Sequence, residues 1–293
     1  MEKLIIEARI NEYAMREVNA KVPWTPAEIA RDAADCRAAG AAIVHFHARE
    51  DNGAPSHQAD TYGECISRIR AASDVLVHPT LGFVALDAAP KERVGHVVSL
   101  AKDAARRPDF APMDMGSTNI DRYDAAKGRF RTTDLIYKNS TATLRHFAQA
   151  IAGAGLKPYL VSWNIGFTRQ ALAFLELEWV ARPAFLLFVL TDGEVLAGHP
   201  GTPEGLDAHL NQLPDDPGLH WSVCNFGGEM LGLVDKIIAA GGHIAIGLGD
   251  HHYGAFGCPS NAELIARVAA RARALGRDVA TPQETREMLA MDR

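Results

Sequence analysis

A single (β/α)8 TIM barrel is the fold the sequence predicts, on three observations. Short apolar runs of strand-forming residues alternate with helical stretches from end to end; no linker or shift in composition interrupts them; and 293 residues suit one such barrel. The domain is expected to span 1–293, with a small hairpin inserted around 121–132 and an extra C-terminal helix.

Leu4 to Ile10 reads as the first strand, with Asn11, Glu12 and Tyr13 at its C-terminal end. Thr25-Pro26-Ala27-Glu28 opens the first helix, because Thr caps, Pro takes the first helical position and Glu stands where a capping box needs it; Gly40 ends it. The second strand starts at Ala41 and carries His45 and His47, and a turn-rich loop, 51–56, leads to a helix ending near Ala72. Val75 to Pro79 is the third strand, running into Thr80-Leu81-Gly82, and Pro90 opens the third helix. Phe110 to Asp114 is the fourth strand, followed by Met115-Gly116-Ser117-Thr118-Asn119. Lys127-Gly128 between Tyr123 and Phe130 predicts the inserted hairpin.

Helix four runs from Thr141 to Ala154, strand five from Pro158 to Trp163, helix five from Arg169 to Glu178 and strand six from Ala184 to Leu190. Thr202-Pro203-Glu204 begins the sixth helix. Trp221-Ser222-Val223 is a short seventh strand whose helix covers Leu231 to Ala240. Gly241-Gly242 feeds the eighth strand, His243 to Gly247; Asn261 to Leu275 is its helix, and Thr281-Pro282-Gln283-Glu284 caps the last one.

A hydrophobic content of 47% with moderate charge supplies one large core and excludes a disordered chain. The net charge of −6 argues against nucleic acid or an anionic membrane surface as a partner, and the Arg-rich stretch 269–277 reads as a solvated helix face. No apolar run approaches membrane-spanning length, so a cytoplasmic protein without a membrane partner is expected. Cys36, Cys65, Cys224 and Cys258 are scattered without a CxxC pair, which fits reduced thiols. A GxSxG elbow, a GxGxxG fingerprint and a Walker glycine loop are all missing.

The sharpest chemical signal is Val44-His45-Phe46-His47-Ala48-Arg49. Side chains alternate along a strand, so His45 and His47 share one face with Cβ atoms ~6–7 Å apart, and two imidazoles at that spacing can converge on one Zn²⁺. Two hydrogen-bonded core histidines are the plainer alternative, disfavoured because two buried neutral imidazoles need partners. Barrel enzymes place reactive residues at the C-terminal ends of strands, where Glu12, His45, His47, Thr80, Asp114, Asn164, Asn225 and Asp250 fall.

Together the motifs resemble the β-keto acid cleavage enzyme family over nearly the whole chain. The resemblance is carried by the double-histidine strand with Gly53-Ala54-Pro55-Ser56, by Met115-Gly116-Ser117-Thr118-Asn119, Trp221-Ser222-Val223, Gly241-Gly242-His243-Ile244, Gly247-Leu248-Gly249-Asp250 and the run from Leu275 to Pro282. It implies a zinc-dependent homo-oligomer, tetramer or dimer, that reacts a β-keto acid with acetyl-CoA to give acetoacetate and a new acyl-CoA. The metal would polarise the keto oxygen while a carboxylate handles the proton. His45 and His47 carry over as metal ligands, Asp250 as general base and Glu12 as a candidate third ligand, although Glu12 equally reads as a surface glutamate. Thr80 and Gly82 resemble part of a cradle for the substrate carboxylate, in which Pro79 and Leu81 replace two members; Ser117 with Gly116 would add to it or equally only shape a turn. Arg49, one pleat beyond His47, would orient a substrate anion or form an ordinary ion pair at the rim.

Several positions depart from the family pattern. Gly249 stands where a zinc-binding glutamate is common, Ala245 where a catalytic arginine is common, and Val161 in place of a strand-five carboxylate used toward polar substrate groups; the last favours a neutral or anionic keto acid. The segment Cys224-Asn225-Phe226-Gly227-Gly228 lacks an arginine often found near the CoA, so the residues that bind it are unassigned. Adjacent His251 and His252 could substitute as ligand, acid or substrate contact, with a plain loop role the safer expectation for side chains that should point apart. Nickel, cobalt or iron would also suit two imidazoles and a carboxylate. A CoA-independent metal-dependent lyase or hydrolase of a keto acid, and a non-catalytic metal- or keto-acid-binding barrel, are the alternatives these departures leave open.

Overall fold

The computed structural model describes residues 2–82 and 88–291. Eight parallel strands form the barrel: β1 (Ile6–Arg9), β2 (Ile43–Phe46), β3 (Leu76–Pro79), β4 (Phe110–Asp114), β5 (Lys157–Ser162), β6 (Ala184–Thr191), β7 (Leu219–Phe226) and β8 (His243–Ile246). Their order around the sheet is β3-β2-β1-β8-β7-β6-β5-β4. At the seam between β3 and β4, Asp109 replaces a regular ladder: its N–H donates to the Val77 carbonyl at 2.9 Å and its carboxylate accepts from the Val77 N–H at 2.7 Å. Arg70 and Arg286 hold that carboxylate from outside.

The helices are α1 (Pro26–Ala39), α2 (Ala59–Ala72), α3 (Pro90–Leu100), α4 (Thr141–Gly153), α5 (Ile165–Glu176), α6 (Pro203–Leu210), α7 (Val234–Ala239), α8 (Asn261–Ala274) and α9 (Pro282–Met288). The capping boxes expected at Thr25/Glu28 and Thr281/Glu284 both form, and Ser260/Glu263 makes a third. The described helices include none long and apolar enough to cross a membrane. All four cysteines are free thiols, three of them buried.

Period-two alternation divides the core in two. Ala8, Val44, Phe46, Val77, Met113, Leu160, Leu186 and Ile244 face outward and pack with the helices. Ile5, Ile43, Leu76, Phe110, Tyr159, Phe185 and Leu187 fill the lower barrel interior. The same inward register carried upward brings Glu7 and Arg9 on β1, His45 and His47 on β2, His78 on β3 and Asp114 on β4 into the upper interior.

Element boundaries depart from the sequence reading most where a cap, a long ladder or the inserted hairpin intervenes. Helix five starts at Ile165 because Asn164 caps it, accepting from the Phe167 N–H. Strand seven extends to Leu219–Phe226 because it ladders with the whole of β6, and its helix begins as a 3₁₀ turn at Leu231–Leu233. Around the inserted hairpin, where Tyr123–Asp124 pairs with Arg129–Phe130, an outer pairing of Thr118–Asn119 with Ile136–Tyr137 returns Tyr137 to the end of β4.

Two buried histidines tie the helical layer to the barrel. His209 Nδ1 lies 2.9 Å from the Thr168 hydroxyl, and His96 Nε2 lies 3.0 Å from the Thr80 carbonyl. Burial pushes His209 down to about 3 and His96 to about 4, the latter opposed by its bond to Thr80. Protons therefore bind the unfolded chain more readily, so the stability these rings contribute is complete above the unfolded value near 6.5 and is lost as the pH falls below it. Urea denaturation is expected to show each costing on the order of 2 kcal/mol by about pH 4.5. The acid loss should be shallower in His209→Asn; an unchanged slope would contradict the assignment.

Candidate active site

The β2 register sets His45 and His47 side by side on the inner face, and both aim Nε2 at one carboxylate. Glu12 Oε1 lies 3.0 Å from His45 Nε2, and Glu12 Oε2 lies 2.6 Å from His47 Nε2. Glu12 reaches inward from a left-handed backbone position, φ 35°, which costs conformational energy and persists only where the surroundings enforce it. Arg49 supplies that enforcement. Its guanidinium donates to the carbonyls of Gly53 at 2.5 Å, Asn11 at 2.8 Å, Ala14 at 3.1 Å, and Glu12 itself. Asn11 stitches the same loop to β2, accepting from the His47 N–H at 2.8 Å and donating to the His47 carbonyl at 2.9 Å.

Arg9, the last residue of β1, joins this group to the end of β8. Its Nε donates to both oxygens of Asp250, at 2.9 and 3.1 Å, and its Nη2 lies 2.9 Å from Glu12 Oε1. The two carboxylates are poised oppositely. Burial alone would raise Glu12, but Arg9, His45 and His47 outweigh it and hold its carboxyl well below the ordinary range. Asp250 is pushed up to about 7 by burial and by the negative charges of Glu12 and Glu7, which Arg9 offsets only in part. An ionised group beside a proton acceptor poised near neutrality is the arrangement acid–base chemistry needs.

Below them lies a second polar layer. Glu7 Oε1 is 2.7 Å from His78 Nδ1, the Tyr159 hydroxyl donates to Glu7 Oε2, and the His78 ring stacks on Tyr159 at 4.1 Å. The His78 ring supports His45 from beneath, with centroids 4.4 Å apart. Burial pushes His45 down to about 4, so it stands neutral with a lone pair to offer.

The residues present fit a divalent transition metal. Ligand atoms of Glu12, His45 and His47 lie within 4.8 Å of one another. Despite its close charged neighbours, the buried Glu12 Oε1 accepts no well-directed hydrogen bond. Two imidazoles and one carboxylate are the protein ligands of a catalytic zinc site that leaves a position open. Glu7, His45 and His78 also converge, but Glu7 and His78 are already bonded to each other.

The glycines that end β8 make room for this constellation. A Cβ at Gly247 would stand 1.9 Å from the Arg9 carbonyl oxygen, and one at Gly249 would stand 2.5 Å from Glu12 Cγ and 2.8 Å from its backbone nitrogen. Asn261, at the start of α8, fixes both sides, accepting from the Leu248 N–H at 2.7 Å and donating to the Ile10 carbonyl at 3.0 Å.

The structure thus brings together Glu12, His45, His47 and Asp250, all four of them sequence-predicted. Thr80 lies at the exit of β3, where its hydroxyl accepts from the Gly82 N–H at 3.1 Å. Ser117 is exposed beyond β4 and accepts from the Asn139 N–H at 2.8 Å. Arg49 spends the donors described above on backbone carbonyls. Asn164 caps α5, and Asn225 donates to Asp192 and the Glu229 carbonyl. His251 and His252, expected to point apart, stack at 4.4 Å, because the chain is no longer extended there and Tyr253 follows in a left-handed conformation. The sequence reading missed Arg9, Glu7, His78 and Tyr159; inward register on predicted strands was the one available signal. Gly249→Ala is expected to destabilise the fold by about 1–3 kcal/mol in urea denaturation, through collision with Glu12. Wild-type stability would mean that Glu12 is not seated against Gly249.

Comparison with known proteins agrees with this geometry. The family model described as "beta-keto acid cleavage enzyme" matches residues 3–291. A 3-keto-5-aminohexanoate cleavage enzyme of Fusobacterium nucleatum is 30% identical over 99% of both chains. The 3-dehydrocarnitine:acetyl-CoA trimethylamine transferase of Rhizobium meliloti is 25% identical over 93% of this chain and 91% of its own. Among solved structures, a ternary complex of ObcA with a C4-CoA adduct and oxalate has a TM-score of 0.72 at 17% identity, covering 92% of this chain and 67% of that one, a likeness of fold. With its barrel, its double histidine and a family match over almost its whole length, the chain belongs to the β-keto acid cleavage enzymes.

Proposed function

We propose that this enzyme exchanges the acyl group of a β-keto acid with acetyl-CoA, giving acetoacetate and a new acyl-CoA. The observation that carries this reading is the Glu12 carboxylate facing both imidazoles and joined through Arg9 to Asp250. His45, His47 and Glu12 would hold a divalent metal, with zinc favoured by the donor set. When bound, the ion supplies Lewis-acid polarisation of a carbonyl oxygen.

Asp250 removes a proton from the carbon between the keto and carboxylate groups. That carbon takes the acetyl group from acetyl-CoA and releases the CoA thiolate. The thiolate then attacks the original keto carbon, the carbon–carbon bond breaks, and the proton returns from Asp250 to the acetoacetate carbon. Arg9 is a positioning residue that aims the Asp250 carboxylate and stabilises its charge. Thr80 and Gly82 are assigned to the substrate carboxylate, Ser117 adds a hydroxyl at the β4 exit, and Arg49 shapes the site by fixing the Glu12 backbone. The names of the relatives support the co-substrate: besides the transferase above, a 3-oxoadipate:acetyl-CoA acetyltransferase of Cupriavidus necator is 28% identical over 93% of this chain. Exposed Phe130, Ile136 and Leu196 around the hairpin offer apolar surface for the proposed dimer or tetramer, and free thiols suit the cytoplasm.

Mass spectrometry of zinc-loaded protein with a panel of β-keto acids, with and without acetyl-CoA, tests the reaction. Acetoacetate with a matching acyl-CoA is expected only when acetyl-CoA is supplied; cleavage without acyl-CoA would replace the reading with a CoA-independent lyase. His47→Ala is expected to lose both metal and activity. Asp250→Asn should keep the metal and lose turnover by about 10²–10⁴-fold. Full activity in metal-free His47→Ala would overturn the metal assignment.

A further inference from the structure

We propose that Tyr13 is a catalytic residue, its hydroxyl donating a hydrogen bond to the substrate's keto oxygen as negative charge develops there. The inference deepens the reaction put forward above and rests on it.

The local chain geometry carries this side chain into the barrel mouth. The Asn11 carbonyl accepts from the Ala14 N–H at 2.8 Å, closing a turn whose two central residues are Glu12 and Tyr13. Arg49 fastens that turn on both sides of Tyr13, through the carbonyls of Asn11 and Glu12 before it and of Ala14 after it. One clamped turn therefore presents both the Glu12 carboxylate and the Tyr13 phenol. The Tyr13 ring meets the His47 ring edge-on, with centroids 4.7 Å apart. The charges of Glu12, Arg49 and Asp114 all act on its hydroxyl, and the side chain keeps partial exposure.

The stronger donors around the mouth are committed to protein groups. Arg9 is directed at Glu12 and Asp250, and Arg49 at backbone carbonyls. Trp163 Nε1 and the Tyr137 hydroxyl each donate to Asp114 at 2.7 Å. Asn225 donates to Asp192 and to the Glu229 carbonyl. Tyr13 differs: among the described residues, its hydroxyl makes no hydrogen bond. A phenol is protonated at neutral pH, so it brings a donor without bringing a charge.

The reaction gives that donor a use, because the keto oxygen turns negative twice. When Asp250 takes the proton from the carbon between the keto and carboxylate groups, the C–H electron pair moves into an enolate. When the CoA thiolate later attacks the keto carbon, a carbon–sulfur bond forms and the carbonyl π pair moves onto oxygen as an alkoxide. That pair then returns, the carbon–carbon bond breaks, and the released carbon takes the proton back from Asp250. In both steps the Tyr13 proton stays on its own oxygen and only the hydrogen bond strengthens. A fixed donor aimed at an oxygen that gains charge stabilises the transition state more than the ground state. The neighbouring negative charge of Glu12 makes the need for such a donor greater.

Tyr13→Phe removes the hydroxyl and keeps the ring against His47. In zinc-loaded protein it is expected to lower kcat by about a hundred- to a thousandfold, with KM for both substrates within about twofold of wild type. Zinc content by elemental analysis should match wild type. Deuterium exchange at the carbon between the keto and carboxylate groups, followed by NMR without acetyl-CoA, reads the enolate step alone and should also slow. Unchanged kcat and exchange in Tyr13→Phe overturn the proposal. A rise in KM alone overturns it as well, since the hydroxyl would then serve ground-state binding, and so does loss of zinc, which would assign the hydroxyl to the shape of the metal site. If wild type forms no acyl-CoA while Tyr13→Phe still slows the exchange, the reaction is sunk and the hydrogen bond stands. A denaturation midpoint for Tyr13→Phe shows that the comparison is made on folded protein.

Discussion

A single guanidinium inside the barrel mouth holds the site together. Arg9 is buried, and a buried cation is tolerable only when anions meet it at hydrogen-bonding distance. It meets two, Asp250 through Nε and Glu12 through Nη2, and each comes from a loop that has to be brought to it. The Arg49 and Asn11 contacts to the loop after β1 and the Asn261 contacts to the loop after β8 serve this one requirement. Removing either carboxylate would leave the cation half paired, while removing Arg9 would leave two buried like charges facing each other. Both carboxylates meet Arg9, and their opposed tendencies to hold a proton arise because Glu12 also faces His45 and His47 whereas Asp250, equally buried, faces the negative charges of Glu12 and Glu7.

Much of this was legible in the chain. Alternating strand and helix signals gave the barrel, capping boxes at Thr25 and Thr281 gave helix starts, and two histidines on alternate strand positions gave a convergent pair without reference to anything else. Asp250 was legible from its place after the last strand. What stayed hidden depends on lateral contact between strands far apart in sequence. Arg9 reads as an ordinary charged residue until β1 is paired with β8, and Glu7 reads as a misplaced charge until β3 delivers His78 and β5 delivers Tyr159. Glu12 was visible as a candidate, but its inward turn depends on a left-handed backbone that Arg49 enforces from 37 positions away. The stacking of His251 on His252 escaped for a local reason, since the period-two rule was applied where the chain had already left the strand.

The departures from the family pattern acquire a common physical form in the three-dimensional arrangement. An arginine is missing at Ala245 on β8, and Arg9 enters from β1, the strand that pairs with β8. Glu12, which the resemblance itself carries over as a ligand, faces both histidines from the β1 side, and Asp114 on adjoining β4 is the register partner of Val161, where the resemblance implies a carboxylate. A barrel permits such exchanges because its mouth is a ring. Long side chains from neighbouring strands converge toward one axis, so a charged head group can reach nearly the same volume from either of two adjacent stems.

These exchanges are also not independent of one another. Glu12 can lie against the end of β8 only because position 249 has no side chain; with a Cβ there, the nearest Glu12 atoms would have to move by about an ångström. A glutamate at 249 and the present seat of Glu12 are therefore mutually exclusive occupants of one space. Gly249, which in the sequence looks like the loss of a ligand, is in the fold the condition under which Glu12 can face His45 and His47. Arg9 follows by the same reasoning: with Glu12 and Asp250 both turned inward, two buried carboxylates need a cation between them, and β1 supplies it from the same turn of chain that supplies Glu12.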